Sequence, residues 1–141
     1  MMQINWDMSR YGRMAEDARH RADAARMWIC SNERLAAQYV AKVDVRHPAV
    51  WFGIVMTLVK SAIDAKEQDA VDLGCRYIIQ QERAPFGKIH KGNILVRLKR
   101  NRELIKEEYI PDLIKTYEAF LKMKYKPRET RELAKLMKCI R

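Results

Sequence analysis

The side chains able to act as nucleophiles or to hold a metal are few and scattered: His20, His47 and His90, with Cys30, Cys75 and Cys139. Zinc sites draw their ligands in close pairs such as Cys-x-x-Cys, and a thiolate nucleophile needs an imidazole at its side. The sequence places no cysteine beside a histidine or a second cysteine. Cys75 with His47 is a pair that folding would have to assemble, and a buried structural thiol is the simpler role for Cys75. An odd number of distant cysteines fits reduced thiols of the cytosol better than a disulfide framework or a zinc knuckle. The sequence also lacks Gly-x-Gly-x-x-Gly, a Walker-type Gly-Lys-Ser/Thr, Gly-x-Ser-x-Gly and His-Glu-x-x-His. Nucleotide, acyl-transfer and zinc-protease chemistry therefore lack their minimum parts. Asp64, Glu67, Asp69 and Asp72 lie close together, but read most simply as the polar face and first turn of a helix, where carboxylates favour the positive end of the dipole. The expectation is a protein that is not an enzyme, with no metal site and no small-molecule cofactor.

The cations are better organised. Residues 1–70 carry 10 Lys and Arg against 9 Asp and Glu, whereas residues 71–141 carry 18 against 9, so nearly all of the net +10 lies in the second half. Residues 83–102 hold Arg83, Lys88, Lys91, Arg97, Lys99, Arg100 and Arg102 with no carboxylate, and His90 beside them. A second cluster, residues 122–141, has eight basic residues offset by Glu129 and Glu132. A positive field concentrated on part of the surface favours a polyanion, and each Lys or Arg set against a phosphate releases condensed counterions without reading a sequence. Lys88, Lys91, Arg97, Lys99, Arg100 and Arg102 are the candidate phosphate contacts. In competition with that role, Arg100 and Arg102 are expected to pair with Glu103, and Lys106 with Glu103 or Glu107, at helical spacing. Residues 88–102 contain no aromatic side chain on which a base could stack. Tyr109, Tyr117 and Tyr125 follow at eight-residue spacing and read as packing residues. Backbone-tracking duplex binding, or an acidic protein partner, suits this pattern better than base stacking.

These side chains need a scaffold, and the chain is long enough for one. A length of 141 residues suggests one domain that buries roughly two thirds of its unfolded surface. With 48% hydrophobic and 33% charged residues, 5 Gly and 4 Pro, the composition is neither disordered, collagenous nor that of a membrane protein. The longest apolar run, residues 49–59, is too short to span a bilayer and reads as a buried helix. The first residues show no basic stretch leading into an apolar one, so no secretory signal is expected and the cytosol is the expected compartment.

Period supplies the elements. Met14, Ala18, Ala22, Ala25 and Ile29 recur at three to four residues, and Leu35, Ala36, Tyr39, Val40 and Val43 continue the stripe past Ser31 and Asn32. This is either one long helix or two separated by a short break capped there. Pro48 opens a helix over residues 48–65, apolar nearly all round and hence central, with Trp51 and Phe52 as anchors. A partner helix over residues 66–82 sets Ala70, Val71, Gly74, Tyr77 and Ile78 on one stripe. Ala70 followed by Gly74 also opens a helix-turn-helix pattern, but Asp69, Gln80 and Arg83 occupy places where that pattern wants apolar side chains. An uninterrupted helix with a packing glycine is expected instead. Pro85-Phe86-Gly87 forms a break; in residues 88–100 Ile89, Ile94, Leu95, Val96 and Leu98 alternate partly like a strand and Gly87 and Gly92 weaken a helix, but with no second strand to pair with, a short helix is expected. Asn101 caps a helix reaching Pro111. Ile110, Leu113, Ile114, Tyr117, Phe120 and Leu121 then make an amphipathic stripe to residue 124, and after Pro127 a last helix presents Leu133, Leu136, Met137 and Ile140.

A helix opened by His47-Pro48-Ala49-Val50-Trp51 and answered by a second amphipathic helix resembles a unit of the HEAT and armadillo families, over about residues 47–125. That resemblance implies a stack of helix pairs with a binding face; an irregular bundle explains the same pattern equally well. The reading is an all-α, single compact domain, residues 1–141, of five to six antiparallel helices, more neutral over 1–70 and strongly basic over 71–141. Its expected function is nucleic-acid binding through phosphates with little sequence specificity. The alternative is a helical adaptor or homo-oligomer, with an acidic protein or a second copy covering an exposed stripe at Leu133, Met137 and Ile140.

Overall fold

A computed structural model describes residues 2, 4–80 and 87–140, the side chain of Lys88 excepted. Eight α-helices follow one another: α1 (Met8–Tyr11), α2 (Glu16–Ser31), α3 (Glu33–Val40), α4 (Pro48–Asp64), α5 (Gln68–Gln80), α6 (Gly87–Arg100), α7 (Ile110–Leu121) and α8 (Thr130–Ile140). Two 3₁₀ turns, Arg102–Leu104 and Glu107–Tyr109, lie between α6 and α7. The described residues contain no β-strand, so the all-α reading holds, with more helices than the five or six expected. The short α1 and the division of the N-terminal stripe into α2 and α3 account for the higher count.

Helix α4 starts where proline dictates. Pro48 takes the first turn, and His47 Nδ1 accepts a hydrogen bond at 3.2 Å from the backbone N–H of Ala49. Trp51, Phe52, Val55, Met56, Val59 and Ile63 are buried along α4, which packs against α2, α5 and α6 and is the centre of the bundle as expected. The edges of Trp28, Phe52 and Tyr77 meet there. Helix α4 ends in a Schellman motif: Lys66, at φ 63°, returns its N–H to Ile63 and Glu67 returns its N–H to Ala62.

Helix α5 runs uninterrupted, and its Gly74 is a packing residue. A Cβ there would lie 3.1 Å from Ile63 on α4 and 3.2 Å from Ile94 on α6, so the missing side chain lets three helices converge. The break expected at Pro85 falls within residues 81–86, outside the described residues; α6 begins at Gly87.

Two expectations are corrected. Asn32 marks the break between α2 and α3, yet its side chain does not cap the start of α3. It is buried, donates to Trp28 O at 3.0 Å and Gln80 Oε1 at 3.1 Å, and accepts from Arg76 at 3.1 Å. Arg76 in turn donates to Tyr109 OH at 3.0 Å, which ties α3, α5 and the approach to α7 together. The second correction is that Asn101 starts no helix to Pro111. Gln68 on α5 donates to Leu104 O at 2.8 Å, and Lys106 reaches the buried carboxylate of Asp72 at 3.0 Å. These long-range bonds hold residues 105 and 106 extended, where local helix propensity would have coiled them.

Candidate nucleic-acid interface

The six candidate contacts lie on α6 and the turn after it, but α6 does not present them alike. Ile94, Leu95 and Leu98 are fully buried, and Lys91 lies one turn before Ile94 and Leu95 on the same stripe. Lys91 is accordingly only 8% exposed, its ammonium 5.9 Å from the centre of the Tyr77 ring. It belongs to the core face, a placement its own three- and four-residue spacing to the apolar positions already encodes. Lys88 has its backbone in α6, and its side chain lies outside the described residues.

Arg97 is half-buried and committed. Its Nε donates to Asp64 at 3.1 Å and its Nη1 to Asn93 O at 3.2 Å, pinning α6 to the end of α4. The remaining three come together. Lys99, Arg100 and Arg102, with Val96, line an open groove of about 350 Å³ whose opposite wall is Glu132 and Lys135 of α8. Arg100 and Arg102 are exposed, and Arg102 is steadied by donating to Lys99 O at 3.3 Å. Lys135 pairs with Glu132 at 3.1 Å. The groove thus carries four cations and one carboxylate from α6, the turn after it and α8, which packs against both. Lys135 was reachable from sequence only as one member of the second basic cluster, because nothing local shows that α8 lies beside α6.

Glu103, expected to pair with Arg100 and Arg102, is bonded to a cation from another segment. Glu103 accepts from Lys66 at 3.0 Å, and a backbone N–H followed by that ammonium holds its carboxyl below the ordinary value. Lys106 turns to Asp72, whose carboxylate raises its pKa, and not to Glu103 or Glu107. Among the described residues, Lys99 and Arg100 have no ion-pair partner.

The acidic cluster resolves in the same way. Asp64 serves Arg97, Glu67 accepts from Tyr39 at 3.3 Å and Asp69 from Gln38 at 2.9 Å. Asp72 is not on a polar face: it is buried and also accepts from Gln68 at 2.7 Å. Cys75 lies in the core, where burial and then the charge of Asp72 push its thiol up to about 12, and His47 Nδ1 is occupied at the start of α4. Among the described residues, no three or more of His, Cys, Asp and Glu come together as metal ligands. No described helix is long and apolar enough to cross a membrane.

Helix α8 does not offer the exposed stripe that self-association would use. Leu133, Leu136 and Met137 are buried within the chain's own core, where α8 packs on α6 and α7, and Ile140 is half-buried. Comparison with protein-family models, curated proteins and solved structures finds no match to this chain in any of the three. What fold and site define is an all-α bundle with an open basic groove between α6 and α8.

Proposed function

We propose that the protein binds nucleic acid through this groove, by phosphate contacts that read little sequence. The observation that carries the reading is the convergence of Lys99, Arg100, Arg102 and Lys135 on one open groove, with Glu103 and Asp72 held by other cations. Phosphates entering there meet ammonium and guanidinium groups that need not first break a bond to a carboxylate, apart from Lys135. Arg97 is a positioning residue that fixes α6 against α4. The reading involves no reaction and no cofactor.

Three to four phosphate contacts give a log-log salt slope of about −3, or roughly 50-fold weaker binding at 200 mM than at 50 mM salt. The test is binding of labelled duplex DNA, duplex RNA and single strands across a salt series, with mass by light scattering on the same sample. The combined variant Lys99→Glu, Arg100→Glu, Arg102→Glu is expected to lose binding while keeping its helical spectrum. Absence of binding at low salt, with a mass above that of the monomer, would overturn the reading in favour of a protein assembly.

A further inference from the structure

Tyr125 departs from the packing role its spacing suggests. Tyr109 is buried and Tyr117 half-buried, but Tyr125 is 83% exposed, the most exposed large apolar side chain among the described residues. It sits in the connection between α7 and α8, residues 122–129, where Lys122, Met123, Lys124, Lys126 and Arg128 are also exposed. No carboxylate lies between Glu118 and Glu129, and Glu129 itself is buried. Lys124 holds its ammonium 5.6 Å from the centre of the Tyr125 ring.

An exposed ring alternating with cations, one of them lying over its face, matches what an unpaired strand requires. Each base offers a flat face for stacking, while the flanking phosphates need positive charge. A duplex keeps its bases stacked on one another and gains only the charge. The connection also leads directly into α8. Arg128 precedes Glu132 of the groove wall by four residues, so their Cα atoms are at most about 15 Å apart. Tyr125 itself precedes Glu132 by seven residues, so its Cα lies within about 25 Å of the groove wall.

We propose that residues 122–128 extend the groove into a single-strand binding surface on which Tyr125 stacks a base. The inference rests on the nucleic-acid reading above and sharpens it from duplex backbone to unpaired strand.

The test is fluorescence anisotropy with labelled single strands of about 15 nucleotides, as DNA and as RNA, and the matching duplexes. It compares the full chain with Tyr125→Ala, Tyr125→Phe and the charge-reversed groove variant. Loss of at least about fivefold in single-strand affinity is expected for Tyr125→Ala, with duplex affinity unchanged and Tyr125→Phe close to the parent. In Tyr125→Trp, the new indole fluorescence is expected to be quenched by single strands. Unchanged single-strand affinity in Tyr125→Ala, or equal losses on single strand and duplex, would overturn the stacking role while a binding defect in the groove variant left the broader reading intact. Binding to anionic vesicles but to no nucleic acid would overturn both.

Discussion

His90 stays neutral at a pH where a free imidazole is already charged. It is buried on α6 with its ring edge-on to Phe52, and Lys60 of α4 donates to its Nδ1 at 2.9 Å. Burial first, and the Lys60 charge second, lower its pKa to about 4. The unfolded chain titrates near 6.5, so between these values it binds more protons than the folded one, and folding stability falls as pH drops through that window. The slope from this one group is at most about 1.4 kcal/mol per pH unit. Denaturant unfolding of His90→Leu, compared with the parent at pH 7 and pH 4.5, is expected to show a smaller acid loss in the variant. Glycines make a second contrast at this scale. Nothing lies within 4 Å of a Cβ built at Gly53 or Gly92, so alanine at either should raise stability by up to about 1 kcal/mol through helix propensity. Gly74→Leu is expected to lower it by about 1–3 kcal/mol or more, since the close contacts to Ile63 and Ile94 leave no room. Thermal melts of the three variants check the order. Gly74 as a packing glycine was legible in the sequence because it falls on the stripe of Ala70, Tyr77 and Ile78. His90, four residues before Ile94 and eight before Leu98, shares the spacing that places Lys91 on the core face, whereas nothing in the sequence near Asp72 indicated its burial.

Among the elements, α4 emerged near its expected bounds at Pro48–Asp64, and α6 formed a helix at Gly87–Arg100 although its apolar residues alternate partly like a strand and it holds two glycines. The failure lies between α6 and α7, where Gln68 and Lys106 impose 3₁₀ turns and extended backbone through bonds that span more than thirty residues. Asn32 teaches the same lesson: its type signals a cap, while its partners Arg76 and Gln80 on α5 make it a buried junction. Replacing it with alanine leaves the Arg76 guanidinium short of an acceptor and is expected to cost about 1–3 kcal/mol in denaturant unfolding, more than a surface cap would. Helix α8 was expected, in the adaptor or homo-oligomer alternative, to expose a stripe, and it is docked on α6 and α7 instead. Ending the chain after Tyr125 removes Leu133, Leu136 and Met137 from the core. At about 1.5–3 kcal/mol per side chain, that loss is comparable with the whole stability of a small domain. The truncated chain is expected to lose its cooperative melt by circular dichroism, not merely an interaction.

On the scale of the molecule, the imbalance of charge is legible by counting residues, but its display is not. The basic half was evident by counting, yet Arg97 and Lys106 in it are each drawn to a carboxylate on another segment, and Lys91 turns to the core. What the groove presents is a smaller set drawn from two stretches, residues 99–102 and 135, which only the packing of α8 on α6 unites. That packing makes the groove a seam. A polyanion lying across it touches both helices at once and so resists the undocking of α8 that would precede unfolding. Occupancy is then linked to folding: at a free concentration 100 times its Kd, a ligand adds about 2.7 kcal/mol to the native state. The melting temperature should climb with added ligand and fall back with added salt, giving a reading of affinity that needs no label on either molecule.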